Sequence, residues 1–228
     1  GTPLQRVGAL AAEGLVDTMP RRGSIGLSWG SAVQALADAL PEGGHYPDVQ
    51  VLPLVGGLSI VDSARDANVI IQTVAQKLGA NSQRLFAPAV VESAATRDAI
   101  LREPSIRSVL DAGGAATLAV VGVGTVGFGA SSEIVDSMHL DAAATAEFLA
   151  SGAVGDCCTR FFDEDGVPVR SAVDDRVVAI DLESLRAIPT VVGVAAGPRK
   201  SAGLRGALRG GLIDVAMVDS DLAESLLA

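Results

Sequence analysis

TLAVVGVGT, residues 117–125, is an unbroken apolar run that closes on small residues, and it is the clearest β-strand in the sequence. A strand without polar alternation is covered on both faces, as in a parallel sheet packed between helices. The composition agrees. Of 228 residues, 49% are hydrophobic but only 3% aromatic, so the core must be built from Ala, Val, Leu and Ile. That length suffices for a sizeable core in one domain, or in one domain with a small lobe.

Apolar runs and helical patterns alternate on both sides of this strand. On its N-terminal side, Leu4 to Thr18 carries helical spacing, and Ser24–Leu27 is a short strand. Val33, Leu36, Ala37 and Leu40 then form an i, i+3, i+4, i+7 stripe. DVQVLPLVGG (48–57) reads as a strand ending in a Gly pair; Ile71, Val74, Ala75 and Leu78 mark a helix that Gly79 terminates. RLFAPAV (84–90) reads as a short strand closed by Pro88, and residues 93–112 as a helix interrupted near Pro104. On the C-terminal side, VVAID (177–181), TVVGVAAG (190–197) and LIDVAMVD (212–219) are three β-rich runs, with the helical KSAGLRGALRGG (200–211) between the last two. Such alternation predicts a parallel α/β sheet. CTRFFDEDGVPVRSAVDDRV (158–177) breaks the rhythm and reads as a hairpin turning at residues 163–166, an insertion or small lobe beside the sheet.

Charge and cysteine usage narrow the function classes. Lys and Arg number 17 against 27 Asp and Glu, a net charge of −10, and no basic cluster offsets it, so this chain is not expected to hold nucleic acid by itself. The adjacent Cys157 and Cys158 are badly placed to bridge each other and lack the spacing of a metal site, which predicts reduced thiols and no metal. No apolar run is long enough for a membrane span and no signal peptide is visible, so a cytoplasmic protein is expected. The chain starts without Met, which reads as a cut edge.

Open parallel sheets bind ligands at the carboxyl ends of their strands, where helix N-termini favour anions. Four runs end there in small residues: Ser28–Ser31, Val55–Gly57, Gly122–Gly127 and Ala195–Gly197. In GLSWGSAVQAL (26–36), Ser31 can cap a helix or meet a phosphate oxygen, and Trp29 can anchor the turn. GVGTVGFG (122–129) follows a strand, but ASSEIVDS after it is a poor helix start and no acidic strand end follows about 20 residues on, so a nicotinamide or flavin cofactor is not expected. Lys200 lies near a helix start, where a cation runs against the dipole; a phosphate ligand would explain it, as would a solvated surface position. Asp156, in GAVGD, can accept hydroxyl hydrogen bonds, act as a base or stabilise a turn. Neither His45 nor His139 has a Ser, Cys or Asp partner by sequence.

GLSWGSAV, PLVGG, LFAPAV, LAVVGVGT, GAVGDCCTRFFDEDG and VAAGPRKSAGLRGALRGGLIDVAMVD occur in that order. This series resembles the C-terminal effector-binding domain of SorC/DeoR-type bacterial sugar-responsive transcriptional regulators, over essentially the whole chain. The resemblance implies a Rossmann-like, mostly parallel sheet with flanking helices and a small hairpin lobe, about 156–177, related to glucosamine-phosphate deaminases, ribose-phosphate isomerases and CoA transferases. It implies a phosphorylated sugar as effector, operator DNA bound through an N-terminal helix-turn-helix domain outside this chain, and a homodimer or homotetramer. By the same resemblance Ser28, Gly30, Ser31, Ala32 and Lys200 hold the phosphate. Gly56, Gly57, Gly122, Gly124, Thr125 and Asp156 line the sugar pocket, and Trp29 braces its turn from behind or packs at a subunit contact. Ser31 stands where many relatives have Thr, which keeps the hydroxyl, and Ala196 stands where a second Gly is common. A sugar-phosphate isomerase or deaminase on the same fold is the alternative, with Asp156 and Lys200 as the only candidate bases.

Overall fold

Pro3–Thr18 forms helix α1 because Pro3 sits at its first position and Thr2 and Gln5 close a reciprocal capping box, while Val7, Ala11, Ala12 and Leu15 form the buried stripe. The computed structural model describes residues 1–58 and 66–227. Strand β1 (Gly23–Leu27), helix α2 (Ser31–Ala39), strand β2 (Val49–Pro53) and helix α3 (Ala67–Leu78) follow. Asp66 caps α3 at its start, and Gly79, in the left-handed conformation at φ 60°, ends it as the sequence predicts. After the short β3 (Asn81–Ser82), Pro104 divides the expected helix into α4 (Ala94–Arg102) and α5 (Pro104–Gly114). Then come β4 (Leu118–Thr125), α6 (Ala130–Ser137), α7 (Ala142–Ala150), β5 (Gly155–Cys157), β6 (Arg160–Phe162), α8 (Leu182–Ala187) and β7 (Val191–Ala195). A 3-10 turn (Pro198–Lys200) leads into α9 (Ser201–Arg209), and β8 (Val215–Val218) and α10 (Ser220–Leu227) complete the series.

Six strands pair in parallel in the spatial order β3-β2-β1-β4-β7-β8. The chain builds outward from β1 to β3, then returns to the other side of β1 and builds outward again through β4. The connections of β1 and β4 therefore diverge, and a crevice opens between their carboxyl ends. This is the Rossmann-like, mostly parallel sheet expected. Its central strand is the run that predicted it: Leu118 to Val121 and Val123 are each at most 4% exposed. Beyond the parallel region, Val123–Thr125 pair antiparallel with β5, and β5 pairs with β6, so the hairpin continues the sheet past the carboxyl end of β4.

Four local expectations are corrected. RLFAPAV is not a strand: Pro88 and Val90 make single bridges to Gly57 and Val177, and Phe86 is 78% exposed. The strand there is Asn81–Ser82, just upstream. VVAID is likewise a buried, extended segment making isolated antiparallel bridges (Val177 to Val90, Ala179 to Val55) instead of a sheet strand. Apolar content reports burial: Leu85, Ala87 and Ala89 of the first segment and Val177 to Ile180 of the second are buried without joining the ladder. ASSEIVDS, judged a poor helix start, is α6: it begins at Gly129 with no side-chain cap. Finally, the hairpin reverses at Cys158 and Thr159, whose positive φ values of 53° and 66° suit a tight two-residue turn. The Asp163–Gly166 turn also forms, but it is the next one, carrying β6 on to Pro168. Among the described residues no helix is long and apolar enough to cross a membrane.

Candidate functional site

Apart from α5, which follows Glu103 with Pro104 at its first position and no side-chain cap, the helix starts fall into two groups. At α1, α3, α4, α7 and α8, a Thr, Asp or Ser side chain (Thr2, Asp66, Ser93, Asp141, Asp181) accepts from a first-turn N–H. At α2, at α6 and at the turn leading into α9, the start is Gly30, Gly129 or Gly197, with φ of 118°, 60° and 89° and no side-chain cap. These three glycines follow β1, β4 and β7, and all three line one cavity of about 450 Å³ at the carboxyl ends of those strands. The uncapped first-turn amides of α2 and α6 gathered there favour a bound anion, whereas at the third turn the Gly197 N–H already donates to Asp219 Oδ2 at 2.6 Å and Pro198 has no N–H.

Of the residues assigned to the site from sequence, Ser28, Gly30, Ser31, Ala32, Gly122, Gly124, Asp156 and Lys200 line this cavity. Gly56, Gly57 and Thr125 are not among its lining residues. Gly56 and Gly57 donate their N–H groups to Val178 (3.0 Å) and Ala87 (2.9 Å). A Cβ on Gly56 would sit 2.5 Å from the Pro88 carbonyl, so close chain packing explains the pair. Thr125 faces away because side chains alternate along a strand: Gly124 turns toward Asp156, while the Thr125 hydroxyl lies against Gly203 of α9. Ser28 is committed to structure, since its Oγ accepts from the Gly122 N–H at 3.0 Å and so ties the end of β1 to β4. Trp29, 8% exposed, is part of the core and also forms cavity wall, in contrast to a brace wholly behind the turn.

The chemistry concentrates on Asp156. It is 7% exposed and accepts from Ser131 Oγ at 2.5 Å. Any side chain on Gly124 would occupy the space of that pair, so the glycine in the strand is what lets acid and hydroxyl meet over the β4 backbone. Burial raises the Asp156 carboxyl above its ordinary range, opposed by the Ser131 hydrogen bond, the charge of Lys200 and the Thr159 backbone N–H. Lys200 is lowered from the ordinary lysine value, again by burial, with the Asp156 charge opposing. The two charges thus attract each other partly out of water, with Lys200 at the N-cap of α9. Arg160 stiffens the hairpin that carries Asp156: it pairs with Asp174 at 2.9 Å and donates to the carbonyls of Val177, Ala179 and Ile180.

Sequence reasoning missed Ser131, Phe128, Thr159 and the first turn of α1, all of which line the cavity. The signal for Phe128 and Ser131 was present in GFGASS: glycines after a strand mark a helix left uncapped toward a ligand. The α1 residues Thr2, Pro3 and Leu4 carried no local signal.

The family model for a sugar-binding domain matches residues 1–228. The chain belongs to this family. The chain is 29% identical over 219 residues to the sorbitol operon regulator of Klebsiella pneumoniae, covering 93% of this chain and 68% of that protein. It is 29% identical over 216 residues to the deoxyribonucleoside regulator of Bacillus subtilis (95% and 68%). The crystal structure of the full-length sorbitol operon regulator SorC from Klebsiella pneumoniae superposes with a TM-score of 0.89 at 28% identity, covering 99% of this chain and 73% of that one. The SorC/DeoR resemblance holds in sequence and in fold. Its relatives are named transcriptional regulators, so the effector domain is a binding module of a regulator and not a sugar-phosphate isomerase or deaminase.

Proposed function

We propose that the cavity binds a phosphorylated sugar. The observation that carries this is the convergence of two glycine-started, uncapped helices, α2 and α6, and the Lys200 turn on one cavity beside Asp156 and Ser131. The phosphate meets the amides of Gly30, Ser31 and Ala32, with the Ser31 hydroxyl and the Lys200 ammonium completing its contacts. Sugar hydroxyls donate to the Asp156 carboxylate across Gly122 and Gly124. Residues 1–228 act as one effector domain, with the hairpin region of about 156–177 as the part that carries the acid into the site.

Occupancy is read out as a population shift between quaternary states that differ in effector affinity. Thr2, Pro3 and Leu4 on the cavity wall make α1 the element through which binding reaches whatever precedes Gly1. In the regulator as a whole, operator DNA is held by an N-terminal helix-turn-helix domain, consistent with the −10 charge of this chain, and the effector domains assemble as dimers or tetramers. The setting is the cytoplasm.

Thermal unfolding with a panel of pentose, hexose, amino-sugar and polyol phosphates tests the reading. A cognate ligand at 100 times its Kd adds about 2.7 kcal/mol, roughly 5–10 °C in Tm for a domain of this size. The unphosphorylated sugar should shift Tm much less. Equal shifts from both forms would remove the phosphate as the anchor.

A further inference from the structure

Among the residues that line the cavity, Phe128 has no role in the site so far. It is carried on the turn that leaves β4, its N–H donating to the Thr125 carbonyl at 3.2 Å. It sits between Gly127 and Gly129, at φ 78° and 60°, both with open space where a Cβ would lie. The ring is half-buried on the cavity wall. Arg199 places its guanidinium carbon 3.9 Å from the ring centroid, and Lys200 places Nζ 5.3 Å from it. Both distances fall inside the range in which an aromatic face attracts a cation. A lysine ammonium sits on a flexible four-carbon stem and ranges widely unless something holds it.

We propose that Phe128 is the positioning residue for Lys200: its ring holds the ammonium group on the cavity wall before any ligand arrives. Asp156 attracts Lys200 from the hairpin side, and Phe128 supplies the second anchor, so the lysine neither collapses fully onto the acid nor swings out to solvent. Arg199, exposed and stacked on the same ring, adds positive potential at this edge without lining the cavity. The consequence for ligands, that Phe128 sets the preference for anionic over neutral sugars, rests on the phosphate reading of the cavity; the positioning itself is a property of the free protein.

The sequence makes the test direct, because Lys77 and Lys200 are its only lysines. Lys77 is held elsewhere, donating to the Asp38 and Leu40 carbonyls at 2.8 and 3.1 Å. Protein labelled with 13C-lysine then gives two CεH2 signals, and the one lost in Lys200→Arg belongs to Lys200. That signal should be displaced upfield by the ring and should lose the displacement in Phe128→Leu. Since a π face favours the charged amine, Lys200 should also titrate at lower pH in Phe128→Leu than in the wild type. Phe128→Tyr should restore both. In parallel, inorganic phosphate should bind about two- to five-fold more weakly to Phe128→Leu, the consequence of losing one partly exposed cation–π contact. An unchanged Lys200 signal in Phe128→Leu, or a change that Tyr does not reverse, overturns the proposal. If the signals behave as expected but wild-type protein ignores phosphate, the positioning stands and the phosphate reading of the cavity falls.

Discussion

Replacing Gly124 by Ala tests the site's geometry with a single methyl group. The added Cβ would land on the Asp156 carboxylate and the Ser131 hydroxyl, well inside van der Waals contact with both. Gly124 has no left-handed φ, so the backbone accepts Ala and the whole cost is local. Breaking a hydrogen bond to a buried charged group costs about 1.5–3 kcal/mol, and forcing atoms into a packed region costs about 1–3 kcal/mol. Part is recovered as Asp156 moves toward the cavity, leaving roughly 2–4 kcal/mol. At about 2–4 °C per kcal/mol for a domain of this size, calorimetry should show Tm lowered by roughly 5–15 °C. Gly114→Ala is the control: its Cβ would meet only ordinary contacts, 3.4 Å from the Ser184 Cβ at the closest, at the end of a helix. There Ala should be neutral or slightly stabilising. A Tm for Gly124→Ala within about 2 °C of the wild type, or a crystal structure of the variant with the Ser131–Asp156 bond intact, would refute the argument.

Three further outcomes follow from the same cluster. Lys200→Ala should weaken sugar-phosphate binding by about 1.5–3 kcal/mol, roughly 10- to 150-fold by calorimetry, whereas unchanged affinity takes Lys200 out of the site. Because burial raises Asp156 above its unfolded value of 3.8, the folded state keeps that proton to higher pH than the unfolded state does; the carboxyl's contribution to stability is fullest below 3.8 and is lost as pH rises through the folded pKa. Asp156→Asn should therefore gain stability relative to wild type as pH rises above 3.8, by about 1.4 kcal/mol for each pKa unit of displacement, and a difference that is flat with pH contradicts this. Burial also pushes both thiols up, helped for Cys157 by Cys158 and Asp156 and for Cys158 by Asp156, so neither should react with iodoacetamide until the protein unfolds; rapid labelling of the native protein would be inconsistent with that placement.

The parts of the fold legible in the sequence are those set by short-range physics. TLAVVGVGT as the central strand, the stop at Gly79, the break at Pro104 and the stripe of α2 each depend on neighbours within a turn or a strand length. The failures share a cause. RLFAPAV and VVAID have the apolar content of strands but bridge each other and the β2 exit by isolated contacts, and which segment faces which is a long-range fact. α6 was misjudged in the other direction: ASSEIVDS, read as a poor helix start, forms a helix after Gly129 with no side-chain cap.

The site divides in the same way. Gly30, Ser31, Gly122 and Lys200 could be named from sequence because glycine and small residues at a strand end, and a cation at a helix start, are locally anomalous and so ask for a reason. That Asp156 should face Ser131, 25 positions away, and share Lys200's surroundings depends on an antiparallel hairpin returning along β4 and on a glycine leaving room above that strand. No local pattern encodes such an approach, since it needs the register of β4 on β5. Sequence alone determined the strand-helix alternation, the glycines at the strand ends and the acidic balance of charge. Only the tertiary structure decided which of those ends share a cavity, because the reversal of strand order between β1 and β4 brings three helix starts to one place while Gly56, Gly57 and Thr125 take up packing roles.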